Sequence, residues 1–303
     1  MLLIVLSLVL VLIALLPVWR NREKLQLNDV HRAMAPGRFV DLSLGKVHYQ
    51  LQGNSDAPLV VLVHGFSAPS YMWDNTVPAL HRAGYCTLTF DLYGRGFSDR
   101  PDTKYDKRLF VSQIEDLVAC VAKGRSFHIV GLSMGGAITS AYVAQYPEKI
   151  LSVSYVAPFN QPVDIGPLTM PILGRWLGYS FFIPSLPQNQ SNDLVHPERF
   201  PQWQSQFEQQ MQYTGFRRAI INTGCNLISK DPSEDFRSVG QTKLRKLVLW
   251  GKNDKVIPIE DAQRVVEMLG KNTELKVFEN AGHAMQYEAF ERINAALVSH
   301  LSA

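Results

Sequence analysis

A chain of 303 residues can bury one large core, and an α/β sheet with an inserted cap commonly fills that length as a single catalytic unit. The formal net charge of +3 gives no electrostatic footprint for a nucleic acid or a strongly acidic partner. Eight scattered histidines, no phosphate-binding glycine loop and three cysteines without paired spacing (Cys86, Cys120, Cys225) argue against a metal centre, a nucleotide site or a disulfide framework, so no cofactor and no metal are expected.

Residues 1–19 contain no charged side chain and are dominated by Leu, Val and Ile, about the length that crosses a hydrocarbon core. Nothing basic precedes this stretch, and Leu15-Leu16-Pro17-Val18-Trp19 is a poor cleavage site, so an uncleaved anchor is expected over a signal peptide that would release a secreted or periplasmic form. Trp19 suits the interface. Arg20, Arg22 and Lys24 place the following domain on the cytoplasmic side by the positive-inside tendency. Residues 20–38, ending in Ala35-Pro36-Gly37, read as a tether.

Pro58 to Val63 is a buried strand running into His64-Gly65-Phe66, where the Phe66 amide can face a reacting oxyanion. Tyr85 to Phe90 is the next such strand and ends at Asp91, expected to tie its own loop with Arg95 and Ser98. Ser126 to Val130 is a third, and Gly131-Leu132-Ser133-Met134-Gly135-Gly136 joins it to a helix over residues 137–146 that stops at Pro147. A serine on a sharp strand-to-helix turn presents its hydroxyl as a nucleophile, with the Met134 amide behind it as a second oxyanion donor.

After the strand Ile150 to Val156, residues 158–237 shift towards Pro, Gln and aromatics. Ile165 to Pro187 is apolar enough to suggest a second span, but Arg175 near its middle would cost about 2.5–3.5 kcal/mol in a membrane, and Pro167, Pro171 and Pro184 interrupt it. It is expected to contribute helices to a cap over residues 158–237 instead, with Trp176, Phe181 and Phe182 as candidate substrate-binding residues. Beyond it, Lys246 to Trp250 leads to Asp254, and Leu275 to Phe278 leads to His283. Both sit just past the carboxyl ends of strands, where open α/β sheets gather their functional groups. A serine hydroxyl needs a base and an acid that orients the base; His283 and Asp254 are the candidates.

In residues 39–303 the ordered motifs His64-Gly65-Phe66, Asp91 to Ser98, Gly131 to Gly136, Gly251 to Asp254 and Gly282-His283 resemble the α/β-hydrolase superfamily. The resemblance is nearest to membrane-anchored monoacylglycerol lipases and bacterial lipases. It implies a mostly parallel eight-stranded sheet flanked by helices, a catalytic triad Ser133, Asp254 and His283 in the superfamily's chain order, and a lipid or small-ester substrate. Ser133 stands where dehalogenases and epoxide hydrolases of the superfamily carry aspartate, which excludes both chemistries. Carbon-carbon bond hydrolases of ring-cleavage products share several of these motifs, although they usually follow the histidine with tryptophan and this chain has Ala284. A hydrolase-like binding protein without activity is the remaining alternative.

Overall fold

A computed structural model describes all 303 residues. Eight strands form one sheet: β1 (Arg38–Leu42), β2 (Gly45–Gln52), β3 (Leu59–Val63), β4 (Cys86–Phe90), β5 (Phe127–Leu132), β6 (Ile150–Val156), β7 (Arg245–Gly251) and β8 (Thr273–Phe278). Their order is β1-β2-β4-β3-β5-β6-β7-β8, and only β2 runs against its neighbours. Every residue of β3, β4 and β5 is buried. A parallel strand is covered by helices on both faces, which is why β3 reads as an unbroken apolar run, while the polar residues that β4 and β5 bury include Thr87 and His128, hydrogen-bonded to His81 (2.9 Å) and Ser152 (2.8 Å). The sheet is therefore mostly parallel and flanked by helices, the α/β-hydrolase fold. The main core holds 62 buried residues.

Between β6 and β7 the chain forms short helices, including Pro171–Leu177, Ile183–Asn189, Trp203–Glu208 and Phe216–Thr223, with π turns at Gly178–Phe182 and Gly224–Ile228. A separate cluster of seven residues, among them Ile183, Leu186, Phe207 and Phe216, gives this cap its own small core. Gly178 lets the first π turn lie against Ile221, because a Cβ there would stand 2.5 Å from the Ile221 Cδ1.

The N-terminal helix Leu2–Trp19 buries none of its residues. The segment after it does not hang free. Lys24 and Leu25 amides both donate to the Gln212 carbonyl (2.8 and 2.9 Å), the Thr214 amide donates to the Leu25 carbonyl (2.9 Å), and the Arg217 amide donates to Glu23 Oε1 (2.7 Å). Residues 23–25 are thus seated on the cap by hydrogen bonds that composition does not announce.

Candidate active site

The strand order decides what meets at the carboxyl edge. β3, β5, β6, β7 and β8 are neighbours and parallel, so the segments that leave β3, β5, β7 and β8 converge there. Ser133 leaves β5 with φ 53° and ψ −120°, outside the ordinary regions for a residue with a side chain, and the helix Met134–Gln145 begins at once. Such strain persists only where the surroundings enforce it, and it clusters at functional sites. The surroundings here are close. A Cβ at Gly131 would stand 2.5 Å from the Gly135 carbonyl oxygen, and one at Gly135 would stand 2.4 Å from the carbonyl oxygens of Val63 and His64. No larger residue fits either position without moving backbone.

The loop after β3 passes beside this serine: a Cβ at Gly65 would lie 3.3 Å from Ser133 Cβ. Its direction is fixed by buried polar groups. The Leu92 amide donates to His64 Nε2 (2.9 Å), which leaves Nδ1 to donate to the Gly65 carbonyl (2.9 Å), and Arg95 Nε donates to the Phe66 carbonyl (2.8 Å). Burial pushes His64 down to about 4, with Arg95 adding to the effect against the opposing pull of Asp91, so it is a neutral structural strut at neutral pH. The Phe66 amide itself donates to nothing within the protein. Met134 is the first residue of its helix, where amides have no intrahelical acceptor and carry the positive end of the dipole. Both candidate oxyanion donors are free.

Asp254 leaves β7 and His283 leaves β8. His283 Nδ1 donates to Asp254 Oδ2 at 2.7 Å, while Asp254 Oδ1 accepts the Val256 and Ile257 amides, each at 2.8 Å. The carboxylate is fully buried and held at both oxygens. Burial pulls the His283 pKa down, but Asp254 and then Asp193 pull it up by more, and the net direction is above the ordinary histidine value. Ser133 Oγ and His283 Nε2 are not hydrogen-bonded in the structure; this contact commonly closes only when substrate fills a site.

Asp193 has no counterpart in the sequence reading. It comes from the cap, its carbonyl accepts the Ala284 amide at 2.8 Å, and burial followed by the nearby Asp254 charge pushes its carboxyl up to about 6 against the opposing pull of His283. No motif marks it. The signal that could have found it is only that the cap must cover the sheet edge where His283 emerges.

Asp91 is elsewhere. Its carboxylate accepts His48 Nδ1 (2.8 Å) and the Ser70 and Phe97 amides (2.9 Å each), and its carbonyl accepts Ser98 Oγ (2.6 Å). Burial opposes ionisation, but His48, His64 and the Ser70 donor prevail and hold this carboxyl far below the usual range. A cavity of about 600 Å³ adjoins Asp91 and is lined by Gln206, Gln209, Gln210 and Gln212 among others; it touches none of Ser133, Asp254 or His283.

A second cavity, about 530 Å³, starts at Phe66 and is walled by Ile165, Leu168, Phe182, Ile220, Ile221 and Ile228. Eight of its twelve lining residues are apolar and Asp164 is the sole charged one. Of the three candidate substrate-binding residues, only Phe182 lines it. Trp176 and Phe181 lie outside the cavity. Their rings meet edge to face at 5.7 Å and turn to the N-terminal helix, where Trp176 Nε1 donates to the Ile13 carbonyl (3.2 Å) and the Arg20 guanidinium lies 5.5 Å from the Phe181 ring centroid.

Among curated relatives, monoacylglycerol lipase ABHD6 of Homo sapiens is 24% identical over 261 residues, covering 81% of this chain and 75% of its own length. A 2-hydroxy-6-oxononadienedioate/2-hydroxy-6-oxononatrienedioate hydrolase of Paraburkholderia phymatum is 27% identical over 294 residues, covering 89% and 97%. Among solved structures, an esterase from Exiguobacterium antarcticum superposes with a TM-score of 0.74 at 24% identity, covering 88% of this chain and 100% of its own. The profile of the Alpha/beta hydrolase family matches residues 60–296, which include every strand end that builds the site, and the chain belongs to that family.

Proposed function

We propose that this protein is a membrane-anchored serine ester hydrolase acting on fatty-acyl esters such as monoacylglycerols. The observation that carries the reading is the strained Ser133 turn between two free amides, at the sheet edge that also holds the Asp254–His283 pair. In this reading Ser133 attacks the ester carbonyl while His283 Nε2 takes its proton. The Phe66 and Met134 amides stabilise the oxyanion, and His283 then protonates the leaving alcohol. Asp254 holds the imidazole so that Nε2 is the accepting nitrogen. Water repeats the cycle on the acyl-enzyme, and no cofactor enters. The proposed organisation is an anchor at 1–19, a connector at 20–38 and a hydrolase domain at 39–303 with its cap at 158–237; Arg20, Arg22 and Lys24 favour a cytoplasmic domain.

The apolar cavity at Phe66 supports an acyl chain as the bound group. Each buried methylene contributes roughly 0.8 kcal/mol, so kcat/KM on p-nitrophenyl esters is expected to rise by up to about fourfold per methylene until the cavity is full. Ile228→Trp, which fills part of that cavity, should flatten the rise. A profile that is flat or falling in the parent enzyme counts against a fatty-acyl substrate.

Carbon-carbon bond hydrolysis is a second reading, favoured by the near full-length match to the Paraburkholderia enzyme. A dioate substrate calls for cationic partners, and the cavity at Phe66 offers none. Side-by-side turnover of a monoacylglycerol and of a dienedioate ring-cleavage product separates the two readings.

His283 must be neutral to accept a proton, and its pKa lies above 6.5, so kcat/KM should fall as pH drops through a midpoint above that value. Asp193→Asn removes a negative charge that favours the protonated imidazole, and the acid limb should move to lower pH. An unmoved limb in a folded variant would remove Asp193 from the site's electrostatics.

A further inference from the structure

The N-terminal helix contains Pro17, which has no amide hydrogen, so the Ile13 carbonyl four residues earlier loses its helical partner. In hydrocarbon an unsatisfied carbonyl costs several kcal/mol. The cap supplies the missing donor: Trp176 Nε1 reaches Ile13 O at 3.2 Å. Two further contacts fix the same face, Arg20 Nη1 donating to the Ser180 carbonyl (2.7 Å) and Arg217 Nη1 to the Pro17 carbonyl (2.9 Å). Ile13 lies six residues before the helix end at Trp19, which at a 1.5 Å rise places it about 9 Å along the axis below that end. If Trp19 marks the membrane surface, Trp176 sits well inside the apolar layer.

The chain around Trp176 is made for that layer. Ile172 is 87% exposed and Phe181 47% exposed, with Met170 and Leu173 also open beside them. These four exposed apolar side chains flank Trp176, which touches a helix of eighteen residues with no buried side chain. Residues 163–168, just before the patch, and Phe182, just after it, form walls of the apolar cavity that begins at Phe66.

We propose that the cap side chains Met170, Ile172, Leu173 and Phe181 insert into the same lipid leaflet as the N-terminal helix and face acyl chains, while the exposed Arg175 between them keeps its guanidinium at the headgroup level on its long stem, so that the cavity at Phe66 fills from the bilayer. The partner is a lipid surface. This rests on the anchor reading of residues 1–19 and extends it to a second, non-spanning element.

The test uses the full chain reconstituted in phosphatidylcholine vesicles, with an environment-sensitive fluorophore on Ile172→Cys in a Cys120→Ser background, since Cys120 is the exposed native thiol. The same label at Gln204→Cys, on an exposed part of the cap, is the control. Expected are co-flotation with vesicles, blue-shifted emission at residue 172, and quenching there but not at 204 by lipids carrying a nitroxide on the upper acyl chain. Co-flotation with an aqueous, unquenched signal at 172 overturns the cap inference and leaves the anchor standing. Blue-shifted emission that the lipid nitroxide fails to quench means a protein neighbour covers the patch and also overturns it. Failure to float sinks anchor and inference together. In parallel, Ile172→Glu with Leu173→Glu should lower turnover of a long-chain ester embedded in vesicles by about tenfold or more, from the cost of charge in the apolar layer. Hydrolysis of water-soluble p-nitrophenyl acetate should stay at the parent rate; equal loss on both substrates overturns the proposal.

Discussion

Ser133→Ala is expected to lower kcat by on the order of 10⁶ and to abolish labelling by a fluorophosphonate probe, because loss of the nucleophile removes the covalent route while binding survives. The substitution deletes one oxygen from a half-buried side chain and keeps Cβ, so the strained turn has the same atoms to hold. Folding should be little altered, since the Gly131 and Gly135 approaches, the Val156 carbonyl that accepts the residue 133 amide and the Phe159 amide that donates to its carbonyl all involve backbone. Residual hydrolysis above the uncatalysed rate, from the two free amides alone, is expected at roughly 10³-fold. Persistent labelling of a folded Ser133→Ala protein would sink the nucleophile assignment, and the reading of an inert binding protein would gain from a parent chain that never labels.

The parts of this molecule that could be read from sequence are those where one physical cause acts on a short segment. Leu59–Val63 and Phe127–Leu132 are buried on both faces, so apart from His128 they carry only apolar residues and glycine, the pattern of inner parallel strands. Gly131 and Gly135 stand where backbone passes within van der Waals reach, so the turn announces itself in composition. The cap is different. Trp176, Phe181 and Phe182 look alike as apolar residues in a proline-broken stretch, yet Phe182 lines the cavity while Trp176 and Phe181 face the N-terminal helix. Apolarity states that a side chain leaves water and does not state which surface it leaves water for. The π turns at Gly178–Phe182 and Gly224–Ile228 compound this, because each rotates the helix face away from a regular period. Asp193 and the pairing of Leu25 with residues 212–214 depend on contacts far apart in the chain and carry no local signature.

Asp254→Asn is expected to lower kcat by about 10⁴ with the fold preserved. The cause is the tautomer. Asp254 Oδ1 is engaged by the Val256 and Ile257 amides, so in the asparagine variant the amide oxygen keeps those two bonds and the NH₂ group must face His283 Nδ1. An NH₂ donor demands an accepting Nδ1, which moves the imidazole proton to Nε2 and leaves no lone pair there to take the Ser133 proton. The protein should still fold, because the side-chain volume and both backbone contacts remain. The same change at Asp91 should act the other way round. That carboxylate receives His48 and two backbone amides in a buried network, and breaking a buried charge pair costs on the order of 3 kcal/mol. Its folded pKa is depressed, so the stability it contributes is present above the unfolded value near 3.9 and is lost as pH falls below it; the asparagine variant should therefore be destabilised at neutral pH, with the deficit shrinking in acid. Thermal unfolding and kcat measured on both variants give opposite patterns, a near-native Tm with almost no turnover at residue 254 and a lowered Tm at residue 91 with turnover retained in the folded fraction. If instead turnover vanishes in a folded Asp91→Asn protein and survives in Asp254→Asn, the acid of the triad has been placed on the wrong strand.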